Sequence, residues 1–350
     1  MAVLLKFIQR ERLYILLLTF VILVAVLASS SDSKKAKGKS QKAQVSATAV
    51  KEDQAAKEAR IEKAIRENGH LAVIFIVASL FILLVLIIGI VIDGILISGR
   101  FYDRKDDIRT CEIAVPSWSI WDVGRVVVLF LFFGYMIVIT ESLLAKTVPL
   151  FKNDDFRAVL NSSFLDGLSV IVIIYFVVGQ YKEKLRSVGI NFKNFLANVF
   201  YGVVGYVAAI PILFLVLMLT AVIIRLMNYS PREQIVVEMF MRQTNPAFLI
   251  YTSIFAAIAG PIAEELFFRG FMYSAVKKYI GIFWATMITA SIFAFLHGHV
   301  VGFLPIMVLG ILLAYLYERT GTLVSSITVH MCHNFSMVLL VFLAKSVKGI

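Results

Sequence analysis

Eight polar or ionisable side chains stand together in the last hundred residues of a largely apolar sequence. They are Glu264, Glu265 and Arg269 in GPIAEELFFRG, His297 and His299 in FAFLHGH, and His330, His333 and Asn334 in HMCHN. Four of the chain's five histidines lie within residues 297–333. An ionisable group in the middle of a spanning helix costs several kcal/mol, so it faces a bundle interior or a water-filled cavity. Three apolar runs each contribute polar groups, which is how helix bundles build sites from facing side chains.

Helical spacing sorts these residues. Glu265 and Arg269 are four apart with the glutamate first, so they share a face and neutralise one another. Glu264 is turned about 100° away and has no partner nearby in sequence. His330 and Asn334 share a face, as do Phe293 and His297. A carboxylate with a histidine in a partly dry cavity activates water as a general base and returns the proton to a leaving amine. A second histidine and an asparagine amide donate to a developing oxyanion. Alternatively, a glutamate and two histidines hold a divalent metal such as zinc with an open water position. Both schemes hydrolyse amides. Ser291, Ser325 and Ser326 have no acid–base partner close in sequence, and Cys332 lies on a different helical face from His330 and His333.

The elements that must position these groups are membrane helices. Of 350 residues, 60% are apolar and 16% charged, against about 45–50% and about 25% in soluble domains. The apolar residues fall into runs near the ~20 residues that a helix needs to cross hydrocarbon. Their length, without alternation, excludes a β-barrel. The reading is all-α: a polytopic transmembrane bundle of about nine spans, near residues 13–28, 71–98, 120–144, 167–181, 195–227, 247–275, 281–300, 303–317 and 322–344. The net charge of +11 reflects basic residues at span ends rather than a nucleic-acid surface. Two distant cysteines, Cys111 and Cys332, make neither a disulfide framework nor a cysteine metal site.

The chain divides into an uncleaved N-terminal anchor at 1–29, a polar insert at 30–69, a second span and polar loop at 70–114, a core at 115–345 and a tail at 346–350. The insert reads as flexible and then helical, with favourable charge pairs such as Asp53–Lys57 and Glu62–Arg66. Lys182, Lys184, Arg186 and Lys193, then Lys277 and Lys278, then Arg319 fall in loops on one side if the spans alternate. That side, with the N-terminus, is assigned to the cytosol, in an integral protein of the plasma membrane. Depths counted from these loops agree only if the seventh span begins well after Lys278, with Tyr279–Trp284 at the interface. Gly260 and Pro261 are expected to loosen the helix just before the glutamates. Asp93, Arg125, Glu141 and Arg225 lie near span ends and read as structural.

Glu-Glu-x-x-x-Arg in EELFFR, Phe-x-x-x-His in FAFLH and His-x-x-x-Asn in HMCHN follow in order over about 70 residues. This series resembles the CPBP intramembrane protease family (CAAX protease and bacteriocin-processing), which includes the type II CAAX prenyl endopeptidases. LRSVGINFK at 185–193 is similar to the family's Leu-Gly-Ile-like segment, and the resemblance covers roughly 115–345. It implies packed transmembrane helices around a cavity, and cleavage of membrane-associated or prenylated peptides. By motif, Glu264 and His297 would activate water, His330 and Asn334 would stabilise the oxyanion, and Glu265 and Arg269 would support them. The family is compatible with a metal-dependent or a metal-free glutamate mechanism. His299 and His333 match no motif position and read as polar groups at a helix end or facing the cavity. Two other classes compete: a catalytically silent membrane scaffold or regulator, and a transporter or proton relay, which would call for internal repeats.

Overall fold

A computed structural model describes residues 2–36, 69–102, 115–229 and 234–347. Residues 37–68 of the polar insert, the loop residues 103–114 with Cys111, and the end of the tail lie outside the described residues. The described residues are helical, without strands. Seven stretches are long and apolar enough to cross a membrane: Ile76–Leu96, Ile120–Leu144, Asp154–Gln180, Phe195–Leu226, Pro246–Leu296, Val300–Thr320 and Leu323–Ser346. The fifth has 51 residues, more than twice what one crossing needs at ~1.5 Å per residue. It breaks at Gly281, whose φ of 76° and ψ of 176° suit only glycine. Counting it as two gives eight of the nine expected crossings; the first apolar run lies in the helix Ala2–Ala36, which is not among these stretches.

The chain forms two compact units, Met1–Ala49 with Ser117–Lys182, and Val50–Pro116 with Glu183–Ile350. The first contains α1 (Ala2–Ala36), α3 (Ile120–Leu144) and α4 (Asp154–Ile174), which continues as a π-helical turn over Tyr175–Gln180. α4 starts well before residue 167, where the apolar run had suggested. Asn153 caps it by accepting from the Asp155 and Phe156 amides at 2.9 and 3.1 Å, and Asp154 and Asp155 suit the first turn. A charged cluster of this unit is internally paired. Arg125 binds Glu11 and Asp122, the latter at 2.6 Å, and Tyr181 donates to Asp122 at 2.6 Å. Burial and that hydrogen bond push the Tyr181 phenol up to about 12, so it stays a donor. The structural reading of Arg125 fits this network.

The second unit contains α2 (Gly69–Tyr102), α5 (Phe195–Leu226), the short α6 (Ile235–Arg242), and α7 (Pro246–Ile254), α8 (Gly260–Glu265) and α9 (Ser274–Leu296). It ends with α10 (Val300–Thr320) and α11 (Leu323–Val347). Leu309, Leu313 and Leu316 of α10 and Val329 of α11 form a buried core, with Tyr206 and Leu213 of α5 against it. Small residues let the backbones approach, as membrane packing requires. Pro211 removes the amide that would bond the Val207 carbonyl, and α2 brings Gly89 onto that carbonyl, where a Cβ would lie 2.6 Å from the oxygen. At Gly202 a Cβ would meet Thr328 Cβ at 2.6 Å and the Ser325 carbonyl at 2.8 Å. Gly202→Val is therefore expected to pry α5 from α11 and cost about 1–3 kcal/mol, read as a lower unfolding temperature in detergent.

Three turns meet at one end of this unit. Glu318 accepts from Lys277 at 2.5 Å and Tyr273 at 2.7 Å, and the Leu323 amide donates to the Gly189 carbonyl at 2.9 Å. These are the loops that the basic residues assign to one side. Tyr279, Phe283 and Trp284 beside the Gly281 break are more than half exposed, as expected for an interfacial hinge before the next span.

Candidate active site

The site lies within the second unit, on the long stretch that carries α7, α8 and α9. Two π-helical segments, Phe255–Ala259 and Leu266–Tyr273, flank the two glutamates. Such widened turns are frequent at functional sites. The first falls just before Gly260 and Pro261, where loosening was expected. The Gly260 amide bonds the Phe255 carbonyl five residues back. Continuing that register, Pro261 owes a donor to Ala256 and has none. Asn334 of α11 supplies it, its Nδ2 donating to the Ala256 carbonyl at 2.8 Å. Asn334→Ala is expected to strand that carbonyl at about 1–3 kcal/mol. Pro261→Ala in the same background should return part of the loss, in a double-mutant cycle read by thermal unfolding.

Glu265 and Arg269 form the pair that their spacing indicates. Glu265 is 0% and Arg269 1% exposed, with Nη1 donating to Oε1 at 2.6 Å. Arg269 also donates to the Gly310 carbonyl at 3.3 Å and stands 4.5 Å over the Phe293 ring. A buried guanidinium is tolerable when its fork is filled in this way. The Gly310 contact had no sequence signal. Glycine leaves room there, since a Cβ would lie 3.0 Å from the Ala290 Cβ, a tight contact, and 3.5 Å from Arg269 Nη2.

His330, 2% exposed, joins the two glutamates. Its Nδ1 lies 3.0 Å from Glu265 Oε1 and its Nε2 3.6 Å from Glu264 Oε2. Glu264 thus finds its partner on another helix, but that partner is His330 rather than His297. At 3.6 Å the contact is longer than a hydrogen bond. Glu264 Oε2 is buried with no donor among the described residues, while the side chain as a whole keeps 31% of its exposure. Two carboxylates face one guanidinium.

His297 ends α9 and turns its Nδ1 to the Phe293 carbonyl at 2.8 Å. A carbonyl only accepts, so Nδ1 carries the hydrogen and a neutral ring has its lone pair on Nε2. The Phe293 ring lies 4.7 Å from the His297 ring and 5.5 Å from the His330 ring, so both imidazoles flank one phenyl group. The two unmatched histidines take the plainer roles. His299 caps α10 by accepting from the Gly302 amide at 3.1 Å, and His333 meets Tyr206 edge to face at 6.0 Å.

The zinc alternative needs three converging ligands. No group of three or more His, Cys, Asp or Glu side chains among the described residues is placed to hold a metal ion.

Residues 246–336 match the family model described as Type II CAAX prenyl endopeptidase Rce1-like. Over 87 residues the chain is 31% identical to the "Putative membrane peptidase YdiL" of Bacillus subtilis (strain 168), an alignment covering 25% of this chain and 36% of that protein. The chain therefore spans well under two thirds of that relative's length. No solved structure matches. Glu264, Glu265, Arg269, His297, His330 and Asn334 all fall inside the matched residues. Segment 246–336 of this integral membrane protein is thus similar to the Rce1-like type II CAAX prenyl endopeptidases, the resemblance to which its three motifs point.

Proposed function

We propose that the chain is an intramembrane endopeptidase that hydrolyses peptide bonds in membrane-associated or prenylated substrates by means of activated water. The observation that carries this reading is the buried, donor-less Oε2 of Glu264 facing His330 Nε2. An acceptor held this way in a dry site takes a water proton. His297, with its Nδ1 fixed to a backbone carbonyl, offers Nε2 for the same water or for the leaving amine. His330 and the second N–H of Asn334 stand as donors for the oxyanion of the tetrahedral intermediate. Glu265 and Arg269 hold the His330 ring in register. A metal is not part of this scheme. In this reading the side bearing Lys277, Lys278, Arg319 and the 182–193 loop is cytosolic, supported by its basic residues, with the N-terminus on that side of the cell membrane.

The test is a substrate panel with the purified chain in detergent: a prenylated CAAX peptide, its unprenylated counterpart, and a generic membrane-peptide reporter, each with and without chelator. Cleavage that survives the chelator and disappears in Glu264→Ala and His297→Ala supports the reading. Equal turnover in both variants and the wild type removes it.

A further inference from the structure

The cations of the second unit's loop-bearing end divide into two groups. Lys277 is paired with Glu318, Lys278 donates to the Pro116 carbonyl, and Arg319 lies over the Tyr315 ring. Lys184, Arg186 and Lys193 are exposed, and no protein group among the described residues partners their side chains. All three lie on one short loop between α4 and α5, and the only acidic residue from 183 to 200 is Glu183. Phe192 is 69%, Phe195 46% and Leu196 80% exposed beside them. Free cations next to exposed aromatic and aliphatic side chains, at the point where two spans meet the interface, suit a surface that is anionic above and hydrocarbon below.

The loop is also anchored firmly to the site helices. Val188 is fully buried, and its carbonyl lies where a Cβ of Gly270 would be 2.6 Å away, one residue from Arg269. Gly189 turns the chain with a φ of 80° and accepts from the Leu323 amide at 2.9 Å. Thr322 donates to the Asn191 carbonyl at 2.7 Å. Whatever holds this loop therefore sets the depth of the Glu265–Arg269 brace and of the start of α11, which carries His330.

We propose that residues 184–193 form a docking surface for the headgroups of anionic phospholipids, with Lys184, Arg186 and Lys193 on the phosphates and Phe192 and Phe195 in the underlying acyl region. Headgroup binding there fixes the site's height in the bilayer. Each cation near an anionic surface contributes about fivefold to association, screened by salt.

Electron spin resonance with spin-labelled lipid, on the protein in bilayers of phosphatidylcholine with phosphatidylglycerol, reads this directly and does not depend on proteolysis. The wild type is expected to select labelled phosphatidylglycerol over phosphatidylcholine by roughly threefold or more, less at high salt. Lys184→Gln with Arg186→Gln and Lys193→Gln should bring selectivity to about one, while Lys184→Arg with Lys193→Arg retains it. Unchanged selectivity in the folded triple-glutamine protein overturns the proposal. So does loss of selectivity on adding millimolar inorganic phosphate at constant ionic strength, which would assign the cations to a soluble anion.

Discussion

Arg269→Ala is expected to lower stability by about 3–5 kcal/mol, enough to leave little folded protein in detergent, because it strands a fully buried carboxylate. Glu265 is 0% exposed and its Oε1 takes hydrogen bonds from Arg269 and His330 among the described residues. The same change removes a donor from the Gly310 carbonyl and a cation from the face of Phe293. Arg269→Lys should be intermediate, since a point charge keeps the pairing with Glu265 but cannot fork to Gly310 as well. Size-exclusion profiles and unfolding temperatures across wild type, Lys and Ala check the order. A variant as stable with alanine as with arginine would show that the brace is dispensable.

Glu264→Gln should behave in the opposite way. The replacement is nearly isosteric, and the side chain keeps 31% of its exposure, so folding should be close to that of the wild type. Turnover should fall by about 10²–10⁴, the usual contribution of a positioned general base. Its neighbour provides the control. Glu265→Gln should lose stability first, with activity following the folded fraction, because its partner is a buried guanidinium. The two adjacent glutamates thus separate by the quantity each one controls.

The reasons for what the sequence could and could not reveal are local geometry and distance. Glu265 and Arg269 share a helical turn, so i,i+4 spacing finds them. A span start well after Lys278 follows from counting helical rise between basic loops and histidines, and the break at Gly281 lies there. The His330–Glu265 contact spans 65 residues, and no periodicity encodes which of several histidines reaches a given carboxylate. Helical spacing therefore cannot tell His330 from His297 as the neighbour of Glu264, and it is His330 that stands against it. The π-helical turns around the glutamates were also hidden, since a 3.6-residue period was assumed throughout. Only Gly260 and Pro261 hinted at one of them. The Asn334–Ala256 bond is legible afterwards as the consequence of a proline that cannot donate.

The account's central claim is that Glu264, set against His330, activates water to cut a membrane peptide. The most direct measurement is mass analysis of both products from a membrane-embedded reporter incubated with the wild type and with Glu264→Gln, each reconstituted as folded protein. The account expects two complementary fragments from a single peptide-bond hydrolysis with the wild type, and a rate at least about a hundredfold lower with Glu264→Gln. Equal fragment yields from both proteins, or an intact reporter with the wild type across the prenylated and unprenylated panel, would contradict it.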